Sequence, residues 1–148
     1  MELITKFMMI PEILERARED GATISPVFTC GDREGWLVAM KGGEVIAAIN
    51  LHLESGIMAQ FHPYFLSAHS REASKIVKLF LIWFRDEMPI EITKLIAFIP
   101  TYAAGVYRAA LRLGFTHEGT NRACFQKNGI IYDMNLVGII REEIKWQS

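Results

Sequence analysis

The chain has 148 residues, 51% of them hydrophobic and 11% aromatic, which is enough apolar surface for one domain over residues 1–148 with a sizeable core. Its 16 basic residues are balanced by 17 acidic ones, so no broad cationic surface for nucleic acid is indicated. The cysteines Cys30 and Cys124 are too few for a disulfide framework, and no metal-ligand spacing occurs; both read as small buried hydrophobes.

Residues 2–7, with apolar Leu3 followed by polar Thr5, fit an opening strand. No basic stretch leads into a long apolar segment there, so a signal peptide is not expected. Pro11 suits a first helical turn. Ile10, Ile13, Leu14 and Ala17 then form a helical stripe, with Glu12, Glu15, Arg16 and Arg18 on a wet face and Gly21 as the stop. Residues 23–35 carry Pro26, Gly31 and Gly35 and read as an irregular loop beside a site.

Residues 36–40, the turn Gly42-Gly43 and residues 45–53 form a hairpin. A turn at Glu54-Ser55-Gly56 leads to a third strand, residues 57–61, whose end Pro63 marks. Residues 70–88 make the longest helix, with Ala73, Ile76, Val77, Phe80, Trp83 and Phe84 along one side. Ser70 or Ser67 is its N-cap, and Pro89 stops it. Its most apolar run, residues 79–84, is far shorter than the ~20 residues needed to span a bilayer. A cytoplasmic location is the reading.

Residues 95–99 are an apolar strand closed by Pro100, and residues 103–113 a helix whose Val106, Ala109, Ala110 and Leu113 share a face. Gly114 sits where a left-handed closing residue is needed, and Phe115 supplies the accompanying hydrophobic contact. Residues 123–127, the turn Asn128-Gly129 and residues 130–140 form a last hairpin. The charged tail from Arg141 reads as lying on the surface or on a partner. The element order β-α-βββ-α-β-α-ββ describes an α/β fold with a mixed, mostly antiparallel central sheet flanked by helices.

The run from Arg108 through Leu113-Gly114-Phe115 to Glu118-Gly119, then Arg122, Asn128-Gly129 and Asp133, resembles the C-terminal half of the GNAT (GCN5-related) N-acyltransferases. The resemblance implies transfer of an acetyl group from acetyl-coenzyme A to an amine of a small molecule or a protein. His62-Pro63-Tyr64-Phe65, together with Arg71 and the later motifs, is most similar to phage-encoded GNAT-like proteins of short-tailed phages. That likeness implies an alternative: a catalytically reduced protein of the host cytoplasm that acts in head assembly or DNA ejection by binding a protein partner, or as a homo-oligomer.

Such a transfer needs a held pyrophosphate, a polarised thioester carbonyl, a base for the ammonium proton and an acid for the departing thiolate. By the resemblance, the pyrophosphate belongs at residues 67–74, where Ser67, His69, Ser70 and Arg71 are the coenzyme-binding candidates. The family's glycines are absent there, an ordinary helix start explains the serines equally well, and Glu72 adds a negative charge. The usual tyrosine and asparagine of the helix before Gly114 are replaced by Ala110 and Ala103, so Tyr107 is the candidate acid, with Tyr102 weaker; a packing role also explains Tyr107. His62 is the candidate base, ahead of Gln60, His52 and Glu54, and a purely structural histidine is its alternative. Glu118, Arg122 and Asp133 read as a surface or hairpin network. The enzyme reading requires the two central strands to part after Phe61, leaving a gap for the pantetheine arm.

Overall fold

The computed structural model describes residues 1–21 and 31–147. Cys30 and most of the loop expected over residues 23–35 lie outside the described residues.

The chain opens with a helix, α1 (Glu2–Met8), where a strand was expected. The Leu3/Thr5 alternation covers only two positions, whereas Ile4, Phe7 and Met8 recur at helical spacing and are the residues that bury; Leu3 is exposed. α2 (Pro11–Ala17) follows, with Pro11 in its first turn as anticipated. The sheet contains β1 (Glu34–Lys41), β2 (Glu44–Leu53), β3 (Met58–Phe65), β4 (Lys94–Pro100), β5 (Thr116–Lys127) and β6 (Ile130–Ile140). A 3-10 turn at Ser67–Glu72 leads into α3 (Ala73–Glu87), and α4 (Ala104–Arg112) links β4 to β5. The spatial order is β1-β2-β3-β4-β6-β5, with every neighbouring pair antiparallel except β3 and β4.

Alternation along the strands divides the core in two. On one face Leu51, Phe61, Leu95, Ile99, Val137 and Ile139 pack with Phe80, Leu81 and Phe84 of α3, and with Tyr107, Ala110 and Leu113 of α4. Each fully buried side chain of this size contributes about 1.5–3 kcal/mol. On the other face Ile4, Phe7, Met8 and Ile13 of α1 and α2 pack on Ala48, Trp36 and Tyr64, residues of β1 to β3 only.

The expected turns form. Gly114 has φ +95°, the Phe115 N–H donates to Ala110 O and the Gly114 N–H to Leu111 O, the bond pair that closes a helix on a left-handed residue. Asn128 and Gly129 both take positive φ in the last hairpin. Three expectations are corrected. Neither Ser67 nor Ser70 caps α3, whose N-cap residue is Glu72; the Ser67 hydroxyl is committed to α2 instead. β3 runs past Pro63 to Phe65. Leu66 N–H donates to Ile46 O, which makes the even-numbered residues of β3 those bonded to β2, so the nitrogen of Pro63 points away from β2 and its missing donor costs the ladder nothing. Arg141, read as part of a surface tail, is buried. Its guanidinium donates to the carbonyls of Arg85, Met88, Pro89 and Ile92, and so pins the end of α3 to the approach to β4.

Candidate functional site

The parallel ladder between β3 and β4 holds for three pairs, Met58–Lys94, Ala59–Leu95 and Gln60–Ile96, and then stops. β3 continues to Phe65 and β4 to Pro100 without pairing, so the sheet opens into a V that starts at Phe61. At the closed end Thr93 and Lys94 N–H groups both donate to Ile57 O. Phe61 floors the opening on the α3/α4 side, stacked on Phe80 at 5.3 Å and on Phe115 at 5.6 Å. Pro63 fits this place, since its absent N–H would have faced the strand that is no longer there.

His62 is the next residue along and points to the opposite face, the one that carries α1 and α2. Its ring lies 6.1 Å from Tyr64, and Gln60 Nε2 is 3.5 Å from its Nδ1. Burial lowers its pKa below the ordinary 6.5, so the imidazole is neutral at physiological pH and has a lone pair for a proton. Directly across the β2–β3 ladder is Asn50, whose Nδ2 donates to Glu34 Oε1 at 2.8 Å. Tyr64 is half-buried, and desolvation together with the nearby Glu34 charge raises its phenol pKa. Glu34 and Asn50 were not singled out from the sequence. A polar Asn50 in the middle of an apolar strand was the available signal; Glu34 gave none, because its contact is long-range. His52 and Glu54, the weaker base candidates, are exposed.

Tyr107 lies on the other face. It packs against the α3/α4 core and meets His117 edge-on at 5.8 Å. His62 and Tyr107 therefore lie on opposite faces of the sheet. Tyr102 is exposed and belongs to a separate aromatic group with Tyr132 and Phe125.

The turn after β3 differs from its sequence reading in its partners. Ser67 N–H and Oγ both donate to the Glu12 carboxylate, the latter at 2.5 Å, while Arg16 donates to Ser67 Oγ at 2.6 Å and to Phe65 O. Glu12 and Arg16, expected on a wet helix face, thus grip the end of β3. Glu72 is neutralised by Lys41 at 2.8 Å and approached by His69 at 3.3 Å, so it does not add the free negative charge expected of it. Ser70 and Arg71 are exposed, and Arg71 has no ion pair among the described residues. Arg16 and Lys41 are each paired with a carboxylate, so Arg71 carries the turn's uncompensated positive charge among the described residues.

Beyond Ala17 the chain crosses the open end of the V. Asp20 Oδ1 and Oδ2 accept the N–H groups of Asn128 and Gly129 at 2.9 and 2.6 Å, Glu19 accepts Gln126 N–H, and Lys127 reaches the carbonyls of Glu15 and Arg18. Residues 12–20 are therefore a strap tied to β3 at one end and to the β5–β6 hairpin at the other. Of the expected hairpin network, Asp133 accepts Ala123 N–H, and Glu118 pairs with Lys94 at the closed end. Cys124 is half-buried and its thiol faces Asn121 O. No group of metal-ligating side chains exists among the described residues, and no described helix is long and apolar enough to cross a membrane.

A mixed sheet that splits between two central strands, with two helices on each face, is the GNAT-like fold. The spermidine N-acetyltransferase SpeG from Vibrio cholerae, solved with CoA and spermine, shares it at a TM-score of 0.69 with 16% identity, over 76% of this chain and 69% of that one. A chimera of that enzyme with hSSAT gives 0.70 at 16% identity, over 76% and 70%. The protein smu.2055 from Streptococcus mutans gives 0.63 at 14% identity, over 74% and 72%. No family model matches the sequence, and no curated protein matches it.

Proposed function

We propose that this chain is an N-acyltransferase that moves an acetyl group from acetyl-coenzyme A to an amine. The observation that carries the reading is the end of the β3–β4 ladder at Gln60–Ile96, with a neutral His62 at the mouth of the resulting V. Strand edges that have lost their partner leave backbone N–H and C=O groups free to bind the amides of a pantetheine arm. Arg71 suits its phosphates, and Arg16 would join it once freed from Glu12. The Glu12 carboxylate on Ser67 is then a competitor that the phosphates displace.

In this reaction the amine reaches the site as an ammonium and gives one proton to His62. Its lone pair attacks the thioester carbonyl carbon, the C–N bond forms, and the C–S bond breaks as the tetrahedral intermediate collapses. The electrons leave on sulfur, and Tyr107 is the hydroxyl we assign to protonate the thiolate from the α4 side. The products are an amide and coenzyme A: of the two protons nitrogen loses, one leaves through His62 to solvent, and the second, released as the intermediate collapses, makes good through solvent the one that Tyr107 gives to sulfur.

Calorimetry tests the reading. Acetyl-coenzyme A binds with a micromolar Kd, and Arg71→Ala weakens it about tenfold or more, as expected for a charge-assisted contact. Absence of heat at millimolar ligand would overturn the enzyme reading and leave the assembly role that the phage likeness implies.

A further inference from the structure

Resting on the acyltransferase reading, we propose that the acceptor is a monoamine with a long apolar body: one ammonium group at the Glu34–Asn50–His62 end and an alkyl or aryl-alkyl chain laid along the β4–β6 side of the sheet. The argument starts from register. Continuing the parallel pairing Gln60–Ile96 by two residues puts His62 and Phe98 level with each other on either side of the V and on the same face. Phe98 pairs with Leu136, so Met134 and Tyr132, at even steps along β6, share that face too.

The helices do not cover this part of the face. The core beneath α1 and α2 draws on β1, β2 and β3 alone, and none of Phe98, Met134, Leu136 and Tyr132 belongs to either core cluster. All four are only half-buried. The track ends at an aromatic pair: Tyr102, 49% exposed, meets Tyr132 edge-on at 4.7 Å. From the level of His62 and Phe98 to that of Tyr102 is four residues, roughly 13 Å of strand.

Among the described residues a free carboxylate sits at one end only. Glu34 is half-buried beside the Asn50–His62 pair and offers one carboxylate to one cation. At the outer end the strap's carboxylates are already engaged: Glu15 with Lys127, Glu19 with Gln126 N–H and Asp20 with the hairpin tip. A second or third ammonium would find no free carboxylate there among the described residues. A peptide would fare no better, because along Phe98, Leu136 and Met134 its backbone amides would find no strong donor or acceptor.

The test is a panel of three amines with acetyl-coenzyme A: 4-phenylbutylamine, butylamine, and spermidine, which matches the first in length but not in charge. kcat/KM for phenylbutylamine exceeds that for butylamine by tenfold or more, as burial of the added apolar surface requires, and spermidine gains nothing over butylamine. Tyr102→Ala, a change at an exposed side chain, narrows the phenylbutylamine-to-butylamine ratio, and Tyr102→Phe restores it. Saturation-transfer NMR reads binding independently of turnover. Phenylbutylamine bound in a Tyr102-dependent way but not acetylated supports the site and overturns the acyltransferase reading. Preference for spermidine overturns the proposal while leaving acetyl transfer intact. Neither binding nor turnover of phenylbutylamine also overturns it.

Discussion

The two ends of the β3–β4 junction are held by different forces. At the closed end three ladder pairs are backed by Arg141, a buried guanidinium that satisfies carbonyls at the end of α3 and ahead of β4. At the open end the strands are unpaired, and what joins the two half-sheets on the α1/α2 face is the strap of residues 12–20, tied at the surface by carboxylates that accept from Ser67, Asn128 and Gly129. Buried, charge-assisted bonds resist opening, whereas exposed ones exchange readily with water. The fold thus fixes the vertex of the V and leaves its aperture adjustable, which is the division of labour a channel for a long ligand needs.

The largest effect comes from breaking the vertex. Arg141→Ala strands several buried carbonyls and lowers stability by about 3–5 kcal/mol in urea unfolding. Arg141→Lys restores little, since an ammonium cannot span that arc of acceptors. Next is the open end's chemistry. His62→Gln lowers kcat/KM by about 10²–10⁴-fold with the fold intact. In the parent protein the rate falls as pH drops through the lowered pKa of His62, below 6.5, and the variant loses that limb. Stability follows the same group. A depressed histidine pKa means that the unfolded chain binds the proton first, so stability is complete above 6.5 and declines as pH falls towards the folded pKa. His62→Gln flattens that part of the profile.

Smaller effects belong to the strap. Glu12→Gln removes the carboxylate from Ser67 and tightens acetyl-coenzyme A binding several-fold in calorimetry, an outcome that a purely structural Glu12 would not produce. Smallest is Asp20→Asn. The Gly129 and Asn128 N–H bonds hold the Asp20 carboxyl below its usual 3.8, so this tie is present above that value and is lost as pH falls through the lowered pKa. In the variant, amide exchange at Asn128 and Gly129 quickens at neutral pH while that of Ile96 in the ladder is unchanged.

Local chemistry made much of the fold legible. Gly114-Phe115, Gly42-Gly43 and Asn128-Gly129 each require a backbone conformation that few other residues adopt, so the α4 stop and both hairpins were readable from a few letters. α1 was misread because Leu3 and Thr5 imitate a strand over too short a window, while Ile4, Phe7 and Met8 held the true period. The strap was not legible at all. Glu12, Arg16 and Asp20 look like solvated helix-face and turn residues, and their partners lie about 50 to 110 positions away in sequence. The same holds for Arg141, which is followed in the chain by the charged, exposed Glu142 and Glu143. Of the site, His62 stood out by its titration range, but Glu34 and Asn50 become its neighbours only through strand register.

The central claim is that the V between β3 and β4 receives the pantetheine arm. Its most direct test is amide hydrogen exchange with and without acetyl-coenzyme A. The odd-numbered N–H groups of β3 and the even-numbered ones of β4 face each other, and Phe61 N–H is spent closing the Gln60–Ile96 pair, so Phe65 and Phe98 gain protection on binding while Phe61 and Ile96, already in the ladder, change little. Protection that appears elsewhere and leaves Phe65 and Phe98 exchanging as before would contradict the account.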